Sequence, residues 1–67
     1  MEIRVEDVGK GFIWRFYIDL LVRPACQAYV EFPSYSTAVE DAKCFRKAIG
    51  IDVPIIYETP KGKIKTI

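Results

Sequence analysis

The residues of this sequence that could do chemistry are few, and their spacing does not assemble a reaction. There is no histidine, and the two cysteines, Cys26 and Cys44, form no C-x-x-C pair from which a tetrahedral metal site could be made. Cys44 lies near Lys43 and Lys47, cations of the kind that lower a thiol pKa, but no base accompanies it, so a structural thiol is the favoured reading. The carboxylates are interleaved with Lys and Arg on faces expected to be solvated, where nothing would hold one protonated near neutral pH. No catalytic residue, metal or cofactor is therefore expected, and the chain is read as a non-enzyme. A disulfide between Cys26 and Cys44 needs Cα atoms within about 7 Å and is disfavoured.

Residue types suited to binding are better represented. Arg15 and Tyr17 alternate on one stretch, and Gln27, Tyr29 and Glu31 alternate on another. If the two stretches are neighbouring strands, these five residues share a face carrying the side chains enriched at binding hot spots. The run 10–17, with its glycine and four aromatics, partly matches an RNA-stacking pattern, but Ile13 and Arg15 break the match, and core aromatics are the favoured reading. Lys61, Lys63 and Lys65 share one side of a strand and could reach phosphates. Protection of a sheet edge against aggregation is the simpler account. Ten Lys/Arg against nine Asp/Glu give a formal charge of +1, so no overall field draws the chain to nucleic acid or to an anionic membrane.

These side chains must be placed by regular elements, and the sequence predicts six. Residues 2–8 alternate charged and aliphatic, with Ile3 and Val5 on one face, and predict a half-buried strand. Gly9-Lys10-Gly11 predicts a hairpin link into residues 12–18, where Phe12, Trp14, Phe16 and Ile18 share the core face of an interior strand. Residues 20–25 are an apolar connection containing Pro24. Residues 26–32 alternate again, with Cys26, Ala28, Val30 and Phe32 expected inward and Pro33 as the stop. From Ser34 the period changes: Ala38, Val39, Ala42, Phe45, Ala48 and Ile49 repeat at spacings of three and four, predicting a helix of about three and a half turns. Ser36 or Thr37 is expected to cap its start, Thr37 with Glu40 as a capping box, and Gly50 to close its end. Two further strands, in 53–58 and 63–67, flank a turn at 59–62. The expectation is one α+β domain, 1–67, of order β-β-β-α-β-β: an antiparallel sheet with one helix on one face, below which Trp14 is buried near Ala42, Phe45 and Ile49.

A chain of 67 residues that is 51% hydrophobic can form one small core. The margin is thin, because burial at about 25 cal/mol per Å² is nearly offset by about 1.5 kcal/mol of ordering entropy per residue. With disulfide and metal disfavoured, self-association is the expected stabiliser. One helix cannot cover five strands, so Ile13, Tyr17, Tyr29 and Ile56 or Tyr57 are expected on open sheet. The N-terminus has no basic stretch followed by an apolar one, and no apolar run approaches the roughly 18 to 20 residues of a membrane span. A cytoplasmic location with reduced thiols is expected.

Gly11 ahead of a strand containing Trp14-Arg15-Phe16, a following strand ending near Glu31, Tyr35-Ser36 leading into an Ala-rich and basic helix, and a strand after it resemble the YegP-like family of small domains of unassigned function. The resemblance spans roughly residues 10–58. It departs from the family at 20–25, where an Asn-Gly turn is common, and at Glu31-Phe32-Pro33, where a Gly-rich approach is common. The resemblance implies pairing of two such units into one continuous sheet, hence a homodimer for a single unit, and implies no catalytic residues. On the residues alone, Ile13, Leu20, Leu21 and Val22 are expected at the seam with a second copy or a partner. The function expected is that of a non-enzymatic protein-interaction module, an inhibitor or adaptor that occupies a partner's surface. The alternatives are a nucleotide-like small ligand held by Arg15, Tyr17 and Tyr29, or weak nucleic-acid binding.

Overall fold

The computed structural model describes residues 1–19 and 23–67. Leu20, Leu21 and Val22, expected at the seam, lie outside the described residues. The elements follow the expected order: β1 (Glu2–Asp7), β2 (Phe12–Tyr17), β3 (Cys26–Gln27), α1 (Tyr35–Ile49), β4 (Ile55–Glu58) and β5 (Ile64–Thr66). The fold is α+β, with one helix against one face of a five-stranded sheet of order β3-β2-β1-β4-β5.

Three of the four strand pairings among the described residues are antiparallel, and the fourth, β1 with β4, is parallel. The sheet is thus mixed rather than wholly antiparallel. Chain direction gives the reason: three meandering strands and a helix that reverses the chain leave β4 running the same way as β1 and β3. Both edges of the meander are parallel to the incoming strand, and β2 has no free side.

Alternation selects the core as expected. Ile3 and Val5 on β1 pair with Phe16 and Trp14 on β2 and with Ile55 and Tyr57 on β4, so one sheet face carries all six. Ile3, Val5 and Ile55 are fully buried there, against Ala38, Val39 and Ala42 of the helix. Trp14 is buried with its ring 4.6 Å from Phe45, and Phe16 lies 5.3 Å from the same ring. Tyr35 packs edge-on to Tyr57 at 4.7 Å, closing the other end of the helix–sheet interface.

The helix starts two or three residues earlier than expected. Its N-cap is Ser34, in extended backbone, whose side chain accepts from the Thr37 N–H at 3.3 Å. Ser36 and Thr37 lie inside the first turn, which carries no acid, so Glu40 completes no capping box. Gly50 ends the helix in the left-handed region at φ 71°, returning its N–H to the Arg46 and Lys47 carbonyls at 3.2 Å each.

The third strand is the main correction. Pairing of Phe16 with Cys26 and Arg15 with Gln27 would place Phe12 opposite Val30, yet Phe12 bridges to Phe32, with bonds of 2.8 and 2.7 Å. Two extra residues are therefore looped out, and the chain at 29–31 leaves the ladder. Val30, expected inward, is 60% exposed, and Cys26 is exposed at the sheet edge. Ile18, beyond the end of β2, is 58% exposed rather than in the core.

Candidate functional site

Two surfaces carry the side chains singled out in the sequence, and the structure separates them. The first is the sheet face away from the helix. Register puts Arg4 directly opposite Arg15, an arrangement of like charges that costs stability unless it is compensated. Acids supply the compensation: Arg4 pairs with Glu2 at 2.7 Å and Glu58 at 3.6 Å, and Arg15 pairs with Glu6 while its Nε donates to Gln27 Oε1 at 3.3 Å. The Arg4 guanidinium also lies over the Tyr17 ring, 5.6 Å from its centre. Partial burial alone would lower the Arg4 pKa, but its hydrogen bond to Glu2 and the charges of Glu2, Glu58 and Tyr17 carry it above its ordinary value. Arg15, Tyr17 and Gln27 do come together here, already committed to partners within the fold.

Ile13 and Ile56, expected wet on this face, are only 7% and 8% exposed. Ile13 belongs to the core cluster and is not available as a seam residue. Tyr57 lies on the helix side, half-buried against the core.

The second surface exists because α1 packs on β1, β2 and β4 and leaves β3 uncovered. A groove of about 400 Å³ opens there between the β3 edge and the helix. Trp14, Phe45, Ala28 and Cys26 line it with apolar surface, Tyr29 contributes a wholly exposed ring, and Asp41 contributes a carboxylate. Tyr29 was expected beside Arg15 and Tyr17; the two-residue excursion from the ladder carries it instead to the groove. Glu31 leaves the ladder with it and is exposed. A ligand held jointly by Arg15, Tyr17 and Tyr29 has no common pocket in this geometry.

Asp41 is the residue that sequence reasoning missed. It is one of the carboxylates expected on solvated faces, but its Oδ2 accepts from the Trp14 indole N–H at 2.7 Å. The available signal was the indole itself, a donor that seeks a partner once its ring is buried, and an acid one helical turn before Phe45 is in reach. Cys26 and Cys44 are both free thiols. Although Cys26 is exposed as a residue, slight desolvation of its thiol raises the pKa above its ordinary value, away from the reactive thiolate. Among the described residues no group of three His, Cys, Asp or Glu side chains could hold a metal ion, and no helix is long and apolar enough to cross a membrane.

Lys65 and Ile64 lie on β5, which is an edge strand; Lys63 precedes it. No family model, curated protein or solved structure matches this chain.

Proposed function

We propose that this chain is a non-enzymatic protein-interaction module, acting as a homodimer and occupying a partner's surface through the β3 edge and its groove. The observation that carries the reading is the concentration of exposed apolar surface at that edge: Tyr29 at 103% and Val30 at 60% exposure, next to a groove lined by Trp14 and Phe45. Aromatic anchors beside a concave apolar site are the features that dominate protein interfaces. The open sheet face is the weaker candidate, because its arginines are neutralised within the fold and its isoleucines are buried. The resemblance to the YegP-like family supports pairing of two units and brings no catalytic group. A cytoplasmic setting, in which both thiols stay reduced, is part of the same proposal.

The test is photo-crosslinking from an unnatural aromatic ketone placed at Val30, next to the groove but not lining it, with a control at Lys47 on the exposed helix surface. In extract of the native cell, the Val30 position is expected to give a discrete heavier adduct that the Lys47 position does not. Equal, diffuse labelling from both positions would overturn the reading.

A further inference from the structure

We infer that the groove between β3 and α1 receives an arginine side chain presented by a partner protein. The inference rests on the reading of the chain as an interaction module and deepens it by naming what the groove takes. Three observations carry it. The lining is aromatic and apolar on most sides: Tyr29 offers a fully exposed ring to a flat group, beside the half-buried Phe45 and the buried Trp14. Among the described residues that line it, the one formal charge is the Asp41 carboxylate, with no Lys or Arg to neutralise it. That carboxylate is held in place through one oxygen only: Oδ2 takes the indole N–H at 2.7 Å, and no described residue donates to Oδ1.

An anchored carboxylate with an open oxygen beside aromatic faces is complementary to a planar cation. A guanidinium donates to the oxygen in its own plane while its face stacks on a ring, and its weak hydration makes entry into an apolar groove cheaper than for an ammonium. The methylene stem of the same side chain would cover Ala28 and Phe45. Position favours a protein source, because the groove opens beside exposed Tyr29 and Val30, where a partner's backbone would find further contact.

The single tryptophan is a built-in reporter, since its indole N–H bonds the carboxylate in question. The full chain is titrated with acetyl-Gly-Arg-Gly-amide, and with the lysine and citrulline counterparts, while the indole N–H resonance is followed by NMR. The arginine peptide is expected to shift the resonance saturably, with citrulline, which is isosteric and uncharged, about tenfold weaker. Asp41→Asn retains an acceptor for the indole and is expected to abolish the preference for arginine over citrulline. Tyr29→Ser, at a position too exposed to matter to folding, should weaken arginine binding in an otherwise native spectrum. A silent indole, equal binding of citrulline, or equal binding of lysine would each overturn the assignment. A silent indole alongside a discrete Val30 adduct would reject the arginine and leave the interaction module standing, whereas loss of the adduct with a responding indole would reject the module and, with it, a partner protein as the source of the arginine.

Discussion

Trp14 joins three roles in one residue: its ring packs with Phe45, its indole N–H bonds Asp41, and it lines the groove. The burial was legible from the shared parity of Phe12, Trp14 and Phe16 on one strand. The hydrogen bond was not, because periodicity assigns a residue to a face without saying which polar group at the rim turns back. Trp14→Ala should cost about 3 to 5 kcal/mol, a large share of the stability of a domain this small. Asp41→Ala should cost less, about 1 to 3 kcal/mol, because it strands a buried donor without opening a cavity. Urea denaturation of both variants checks the order, and an Asp41→Ala midpoint equal to wild type would mean the indole N–H finds water instead. Cys26 gives a second prediction at this scale. Its folded thiol holds its proton to higher pH than the unfolded one, so this group's contribution to stability is full below the unfolded pKa and is lost as pH rises through the folded value. In a Cys44→Ser background at mildly alkaline pH, alkylation of Cys26 by iodoacetamide should be slower in the folded chain than in guanidinium; equal rates would contradict the shift.

At the scale of elements, the sequence specified which segments form strands and helix more fully than how they pair. Alternation located β1 and β2, the three-and-four spacing located α1, and glycine placed its end at Gly50. What failed was β3, and the reason is arithmetic: looping out two residues preserves parity, so Cys26, Ala28, Val30 and Phe32 still alternate although Val30 no longer lies in a ladder. The sheet was expected to be antiparallel, and the β1–β4 pair is parallel; element order fixes the direction of β4 but not the neighbour it takes. Gly11 shows what makes the excursion close at Phe32. A Cβ built on Gly11 would meet the Phe32 carbonyl oxygen at 2.5 Å, so the two backbones can pair there only if residue 11 has no side chain. Gly11→Ala should therefore part the Phe12–Phe32 bridge, costing about 1 to 3 kcal/mol as overpacking does. Hydrogen exchange is the discriminating measurement: the Phe12 and Phe32 amides should lose protection while those of β1 keep theirs, and uniform retention would show that the backbone yields without breaking the bridge.

Whole-molecule behaviour turns on whether one core of this size stands alone. The described chain has neither disulfide nor metal-binding cluster to reinforce it. The seam expected from sequence rested partly on Ile13, which the fold buries, and on residues 20–22. Ile18 now marks that end of the sheet: it is 58% exposed, and Met1, one position beyond the Glu2–Tyr17 pair on the opposite strand, is 51% exposed. A symmetric pair closing over this end would bury both, each against its own copy, and would leave the groove at β3 free for a foreign partner. Ile18→Glu should then weaken dimerisation, since a carboxylate at the seam must be desolvated, yet spare the monomer fold because the side chain is exposed there. Sedimentation equilibrium at micromolar concentration is the measurement, with melting across a range of concentrations beside it. The wild-type melting temperature should rise with concentration as mass action requires, and that of Ile18→Glu should rise less. A wild-type mass near 7.7 kDa would refute the dimer, and a dimer indifferent to Ile18→Glu would move the seam to one of the sheet edges. Of these edges, β3 is the more open to pairing, since β5 is flanked and punctuated by Lys63 and Lys65, whose like charges would face one another across a two-fold axis.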